Sequence, residues 1–258
     1  MRELPFRTTV RIATAGWAIP RPVAESFPAE GSGLERYAAR LDALEINSTF
    51  YRSHRASTWA RWAAATPSGF RFAVKLPRTI THQAGLVEAM PLVQAFRTEV
   101  MQLGDKLGTL LVQLPPGLAF DPGVAGPFLA GLRELWPGAI ACEPRHPGWF
   151  EAEADGLLSA HRIARVAADP ARHPAASTPG GWASLAYWRL HGSPRMYYSA
   201  YDHAALSALA RAIRAARADE IWCVFDNTTS GAAMANALAL QGLLAGDQAA
   251  ASAGADGS

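Results

Sequence analysis

Apolar and polar residues alternate with a period of two in several short segments of the chain, a pattern typical of β-strands. In one of them Leu44 and Ile46 alternate with Glu45 and Asn47, and the polar residues come at the carboxyl end. The same pattern predicts eight strands, at residues 10–16, 43–47, 70–76, 109–114, 139–145, 165–169, 186–191 and 221–226.

Segments with helical periodicity separate most of these strands, at about 34–41, 59–64, 91–103, 122–135, 149–161, 204–218 and 231–244. Strands that alternate with helices over long connections favour a parallel α/β fold. No Gly-x-Gly-x-x-Gly turn follows any strand, which disfavours a dinucleotide-binding sheet. Residues 170–184 are rich in Pro, Gly and Ser and show no helical period. We therefore predict a (β/α)8 TIM barrel that lacks a regular sixth helix.

The length of the chain fits one such barrel, since 258 residues with 50% hydrophobic residues can form a single large core. We expect one domain over residues 1–245 and a disordered tail over 246–258, which contain no large apolar residue. The net charge of +2 and the lack of an apolar leader or membrane span indicate a cytoplasmic protein with no membrane partner. Nucleic acid is not favoured as a partner, and the oligomeric state is left open.

A polar side chain occupies the last inward position of nearly every predicted strand. The carboxyl ends of the strands surround the active site in TIM barrels, so we expect these residues to form a ring around a pocket. The alternative, open for any single member, is that the ring residues only satisfy one another in a buried network. The ring consists of Trp17 beside Gly16, Asn47, Lys75, Gln113, Glu143 with Arg145, Asp169, Arg189 with His191, and Asp226, with Glu45 one layer below.

The charges of this ring nearly cancel, which favours an anionic ligand over a metal ion. Lys75, Arg145 and Arg189 are suited to a planar carboxylate or a phosphate. A divalent ion would need several carboxylates or histidines without cations among them, so we predict no cofactor. The metal alternative is a site formed by Glu143, Asp226 and His191.

Glu143 is the strongest candidate for acid/base chemistry, because it can lie between Lys75 and Arg145 in an enclosed site. Asp226, His191 and Glu45 follow it. The loops at 191–193 and 227–231 contain glycine and small hydroxyl residues and are candidates for phosphate binding. Further predicted ligand contacts are Asn47, Gln113, Asp169, Asn227, Tyr51, Trp17, His82 and Tyr201.

Several of these segments together resemble the YecE-like family, known as domain of unknown function 72. They are Glu45 to Tyr51 (EINSTFY), Lys75 to Pro77 with Thr81 and His82, Leu111 to Pro116, Glu143 to Pro147 with Trp149 and Phe150, Arg189 to Gly192, and Asp226 to Thr228 with Asn236 and Ala237. The resemblance implies a TIM-barrel fold and brings no established activity. Two positions depart from the family: Ala15 stands where the family has Ser, and Asp226 where it often has Asn.

Three functions are compatible with this ring. The first is an enzyme that acts on a small phosphorylated or carboxylated metabolite by acid/base chemistry, with the hydrolase, lyase and isomerase classes all open. The second is a metal-dependent phosphodiesterase or endonuclease. The third is a non-catalytic barrel that binds a ligand or nucleic acid through its aromatic rim.

Overall fold

The computed structural model describes the backbone of residues 8–255 and the side chains of residues 8–246. The strands are β1 Thr9–Thr14, β2 Ala43–Ile46, β3 Arg71–Lys75, β4 Leu107–Gln113, β5 Ile140–Glu143, β6 Ala164–Arg165, β7 Ala167–Asp169, β8 Gly180–Gly181, β9 Leu185–Leu190 and β10 Glu220–Phe225. The helices are α1 Gly33–Ala38, α2 Ala56–Ala64, α3 Met90–Val100, α4 Pro122–Leu135, α5 Ala152–Ala160, α6 His203–Ala215 and α7 Ala232–Ala255.

Parallel strands follow one another around a barrel. One sheet runs in the order β2-β3-β4-β5-β6 and the other in the order β7-β9-β10-β1. Only Val166 separates β6 from β7, so these two segments are the halves of one barrel strand. On the other side, a parallel bridge between Ala15 and Glu45 joins the end of β1 to β2. This order confirms the predicted TIM-barrel-like fold.

The sixth barrel strand is the one that no α-helix follows within the described residues. After β7 the chain forms the 3-10 turn Pro174–Ser177 and then β8, which pairs antiparallel with β6. Gly181 has a φ of +64°, and a Cβ there would lie 2.5 Å from the carbonyl oxygen of Ile163. Glycine is therefore required for this close approach. The irregular sixth connection agrees with the sequence prediction.

The carboxyl-terminal helix α7 extends further than the sequence pattern predicts. It continues to Ala255, whereas we expected a disordered tail from residue 246. The difference arises because alanine has the highest helix propensity even where no large apolar residue is present. Residues 256–258 of the expected tail lie outside the described residues, as do residues 1–7. Within the described part of the chain, no helix has the length and apolar character needed to cross a membrane.

Side-chain alternation separates the barrel interior from the layer of helices. The interior positions near the amino ends of the strands are small, as at Ala43, Ala73 and Ala141, and are filled by Tyr187 and Trp222, whose rings stack at 6.0 Å. Outward-facing apolar residues pack against the helices. The inward positions that remain, at the carboxyl ends of the strands, carry polar side chains.

Candidate active site at the carboxyl end of the barrel

A buried ion network centred on Arg189 fills the barrel below its carboxyl-end opening, here called the mouth. Nε and Nη2 of Arg189 donate to the two oxygens of Glu45 at 3.0 and 2.6 Å. Nη1 donates to Glu143 Oε2 at 2.7 Å, and Nη2 donates to Asp226 Oδ2 at 3.1 Å. The hydroxyl of Tyr187 donates to Glu45 at 2.8 Å. One guanidinium therefore joins three carboxylates that come from opposite sides of the barrel.

His191 bridges two of these carboxylates. Its Nε2 lies 2.9 Å from Glu143 Oε1, and its Nδ1 lies 3.0 Å from Asp226 Oδ2. Both ring nitrogens can donate only when the imidazole is protonated. Burial lowers the pKa of His191, but Glu143 and the two hydrogen bonds outweigh burial and raise the pKa above its usual value. The geometry therefore favours an imidazolium.

The oxygens of Glu143 are occupied by cations. In addition to Arg189 and His191, Arg145 Nη2 donates to Glu143 Oε1 at 3.3 Å. Burial raises the pKa of Glu143, but Arg189 and His191 together lower it well below its usual range. A carboxylate with so low a pKa is a weak proton acceptor near neutral pH. The assignment of Glu143 as the acid/base group stays a prediction, and this pKa favours a positioning role instead.

Lys75 is the buried ammonium of the mouth and differs from the other cations. Its Nζ lies 4.2 Å from the centre of the Phe50 ring, and the residue is 8% exposed. Among the described residues, no oxygen lies within hydrogen-bonding distance of Nζ. Burial and the neighbouring Arg189 lower the pKa of Lys75 to about 8. Lys75 is therefore suited to gain or lose a proton near neutral pH.

Asn47 presents an unpartnered acceptor beside Lys75. Ile46 pairs with Val74 in the register of β2 and β3, so Asn47 and Lys75, which come next, point into the barrel side by side. The amide nitrogen of Asn47 donates to Asp226 Oδ1 at 3.3 Å. Its Oδ1 is buried and has no partner among the described residues. A bound group that donates a hydrogen bond would satisfy this oxygen.

Cationic groups surround His82 at the rim of the mouth. The His82 ring contacts Phe50 edge-on at 4.9 Å. Burial lowers the pKa of His82, and the charges of Lys75, Arg145 and Arg78 lower it further. His82 is therefore neutral near pH 7, and Lys75, Arg145 and Arg78 are the cations whose charges act on it.

Residues 192–198, here called the covering segment, close the mouth beside Glu143 and His191. The cavity there has a free volume of about 10 Å³, which is room for about one water molecule. Tyr197 stands edge-on to His191 at 5.7 Å and adopts a φ of +68°, a conformation that costs a non-glycine residue energy. In the predicted phosphate loop 227–231, the Thr229 amide donates to the Tyr197 carbonyl at 3.1 Å, so this amide already has a partner in the covering segment.

Asp169 and Tyr201 do not lie at the mouth, and the prediction that Asp169 faces inward is wrong. Ala168 pairs with Arg189 in the register of β7 and β9, so Ala168 points inward and Asp169 outward. The Asp169 carboxylate accepts a hydrogen bond from the Tyr201 hydroxyl at 2.6 Å, and that hydroxyl accepts from the Gly192 amide at 2.8 Å. The prediction failed because it followed the polarity of Asp169 rather than the alternation of the strand.

Two predicted aromatic contacts also lie away from the ion network. Trp17 packs edge-on against Trp62 of α2 at 5.4 Å, which places it in the layer of helices. Tyr51 is 75% exposed and touches Phe50 at 5.0 Å, so it lies on the outer rim. Phe50, which the sequence did not single out, is the ring that contacts Lys75.

Besides Asn47, the predicted amide contacts Gln113 and Asn227 make hydrogen bonds within the protein. Gln113 faces the interior, and its amide donates to the Leu114 carbonyl at 3.2 Å. Asn227 donates to the Ser199 carbonyl and to Asn236 Oδ1, each at 2.9 Å. Asn227 therefore holds Ser199, the residue that follows the covering segment, in position. These contacts do not support Asn227 as a ligand contact.

Replacing Asp169 with alanine is expected to lower the free energy of unfolding by about 1–2 kcal/mol, because a partly buried charged hydrogen bond is lost. Phosphate affinity should stay within about twofold of wild type, since Asp169 faces away from the mouth. Urea denaturation and calorimetric titration measure the two quantities. Tyr201→Phe is the comparison: it removes the same hydrogen bond and also the acceptor of the Gly192 amide, so it should cost at least as much. A large loss of phosphate affinity in Asp169→Ala would contradict this placement and show that Asp169 belongs to the binding site.

The fold and the ion network define a TIM-barrel-like protein with a buried polar site at the carboxyl ends of its strands. The chain belongs to the family described as "Protein of unknown function DUF72", whose profile matches residues 11–256. No specific activity is established for this family. The predicted resemblance to YecE-like proteins is thereby confirmed.

Relatives agree with this membership. The chain is 35% identical over 121 residues to the UPF0759 protein YecE of Escherichia coli strain K12, a region that covers 46% of this chain and 43% of YecE. The match thus spans less than half the length of this curated relative. A DUF72 family protein of Enterococcus faecalis V583 has a TM-score of 0.76 at 20% identity, covering 92% of this chain and 96% of the other. One of Thermotoga maritima MSB8 has a TM-score of 0.72 at 24% identity, covering 92% and 99%. At these identities the solved structures show the fold alone.

The metal alternative finds no support in the donor arrangement. Glu143 and Asp226 already accept hydrogen bonds from Arg189, whose charge a bound cation would oppose. Within the described residues, no group of three or more His, Cys, Asp or Glu side chains is arranged to hold a metal ion.

Proposed function

We propose that this protein is an enzyme that acts on a small anionic metabolite, phosphorylated or carboxylated, by acid/base chemistry at the mouth of the barrel. The observation that carries the proposal is the excess of positive charge above the ion network. Arg189 and the His191 imidazolium together offset two of the three carboxylate charges of the network. Lys75 and Arg145 then leave the mouth with a net positive charge.

Arg145 is the residue best placed to bind the anion. Its side chain is 15% exposed, makes one long ion pair, at 3.3 Å, with Glu143, and also interacts with the side chain of Tyr197. A guanidinium has five N–H donors, so several remain for a carboxylate or phosphate. Arg189, by contrast, is fully buried and all three of its nitrogens already bind carboxylates. We therefore assign Arg189 a positioning role rather than the anion contact expected from the sequence.

Lys75 is the residue best suited to proton transfer. Its pKa of about 8 lies within the working range of a neutral-pH enzyme. The pKa of Asp226, like that of Glu143, is lowered: burial raises it, but Arg189 and His191 outweigh burial. Glu45, Glu143 and Asp226 in this assignment hold Arg189 and His191 in place beneath the reacting groups.

Inorganic phosphate is expected to bind the wild-type protein, and Arg145→Met should weaken this binding about tenfold or more, because a charge-assisted hydrogen bond is lost. Isothermal titration calorimetry at fixed ionic strength measures the dissociation constants. Arg211→Met removes the same charge from the exposed surface of α6 and serves as the matched control. Equal weakening in both variants, or no binding to the wild type, would refute the anion site.

A further inference from the structure

We propose that Lys75 is the nucleophile of this site and forms an iminium with the carbonyl carbon of an anionic aldehyde or ketone. This inference rests on the proposed function and narrows its substrate class to carbonyl compounds that carry a carboxylate or phosphate.

The use of lysine at this position is unusual for the chain. Of the 24 basic residues, 22 are arginine, and the lysines are Lys75 and Lys106. Lys106 has an evident structural role, since its Nζ donates to the carbonyl oxygens of Ala63 and Thr66 and to the Thr66 hydroxyl. A site that needed only positive charge would be served at least as well by arginine, which binds anions through two parallel hydrogen bonds. An amine is needed where the nitrogen itself exchanges a proton or forms a covalent bond, since a guanidinium stays protonated in proteins.

The surroundings of Lys75 leave its nitrogen chemically available. The Nζ faces the Phe50 ring and lies within the mouth without an oxygen partner among the described residues. An amine that is desolvated and placed near another cation is activated as a nucleophile, and Arg189 supplies that neighbouring charge. The lowered pKa, about 8, supports this view, because roughly a quarter of such amines are unprotonated at a pH of about 7.5.

The reaction is balanced without an external oxidant or reductant. The neutral amine attacks the carbonyl carbon, a C–N bond forms, and the carbonyl oxygen takes up a proton to give a carbinolamine. The nitrogen lone pair then forms the C=N bond while the hydroxyl leaves with a proton as water. In net terms one ammonium and one carbonyl give one iminium and one water, and the positive charge is retained.

Neighbouring residues provide the remaining requirements of this step. The unpartnered Oδ1 of Asn47 can accept the hydrogen bond of the carbinolamine hydroxyl. The proton that the Lys75 ammonium releases when it becomes a neutral amine is the one that the hydroxyl needs in order to leave. Neutral His82, which shares the Phe50 ring with Lys75, can accept that proton and return it to the hydroxyl. Arg145 binds the anionic group of the substrate. Asn47 and His82 thereby acquire roles that a simple anion site would not need.

Reductive trapping tests the inference. The full-length protein is incubated with glyoxylate or glycolaldehyde phosphate and sodium cyanoborohydride, and the labelled residues are identified by peptide mass spectrometry. Lys75 should be labelled at least about tenfold faster than Lys106, which is an internal control, and the rate should rise with pH to a plateau above about 8. The groups whose charges act on Lys75 over this range are Arg189, Glu143, Glu45 and Asp226. Uncharged glycolaldehyde should label Lys75 more slowly than its phosphate.

Three results separate failure of this step from failure of the proposed function: the first two count against the step and the third against the function. Labelling of Lys75 no faster than that of Lys106, with phosphate binding to the wild type intact, overturns the iminium and leaves the anion site standing. Labelling of Lys75 that does not decrease in Arg145→Met also overturns it, because the carbonyl compound would then not be held by its anionic group. Absence of phosphate binding to the wild type removes the proposed function itself.

Discussion

Replacing Arg189 with methionine is expected to lower the free energy of unfolding by about 3–5 kcal/mol at neutral pH, the cost of breaking a buried ion pair by removing one partner. The loss falls at the upper end of that range because Arg189 contacts Glu45, Glu143 and Asp226 at once. Methionine fills a similar volume but leaves three buried carboxylates facing one another. Urea denaturation, with circular dichroism as the signal, measures the change.

The pH dependence of this loss distinguishes it from a simple packing defect. The wild-type pKa values of Glu143 and Asp226 are lowered, so their contribution to stability is present above the ordinary values of 4.5 and 3.8 and is lost as pH falls through the lowered ones. Without Arg189 these pKa values rise, and the deficit of the variant should narrow as pH falls from about 7 to about 5. Arg165→Met, which removes a guanidinium paired with the single carboxylate of Asp155, is the comparison and should cost less. A pH-independent deficit in Arg189→Met would contradict the network.

Replacing Lys75 with methionine is expected to have the opposite effect on stability and to abolish trapping at this position. We expect the free energy of unfolding at pH about 7 to rise by about 1–2 kcal/mol, because an ammonium without an oxygen partner is replaced by an apolar side chain that can pack on Phe50. Such a gain on removal of a functional group is typical of active sites. Thermal and urea denaturation of both proteins provide the measurement.

The difference in free energy of unfolding between Lys75→Met and wild type should change with pH in the alkaline range. The native pKa of Lys75 is about 8 and its ordinary value is 10.5, so between these values the unfolded chain binds more protons than the folded one. The wild-type protein therefore gains stability from Lys75 as pH rises through this window. The advantage of Lys75→Met should be largest below pH about 8 and disappear towards about 10.5. A variant that is less stable than wild type at every pH would show that Lys75 stabilises the fold.

The strands could be predicted from the sequence because their alternation is strict. Leu44 and Ile46 against Glu45 and Asn47 define which face is buried, and the same period recurs in each barrel strand. The sixth strand is the exception, since it is split at Val166 and contains mostly small residues. In such a strand polarity is a weak guide to direction, which is why Asp169 was placed on the wrong face.

The ring itself could be predicted, but its internal pairing could not. Arg189 and Glu45 are 144 residues apart in the chain, and no local pattern indicates which carboxylates a guanidinium will reach across a barrel. The distances in the structure are therefore needed to show that all three guanidinium nitrogens of Arg189 already bind carboxylates. The lack of an oxygen partner for Lys75 could not be predicted either. It depends on how Phe50 and Arg189, which are distant from Lys75 in the sequence, are placed around its Nζ.

The central claim is that the mouth holds a small anion through Arg145. Native mass spectrometry of protein purified without added phosphate or sulfate tests this claim most directly. The wild-type protein should carry an additional mass that corresponds to a phosphorylated or carboxylated compound. Arg145→Met should lose this mass, and Arg211→Met should retain it. A wild-type protein without any adduct that also fails to take up added phosphate, or the same adduct in all three proteins, would contradict the claim.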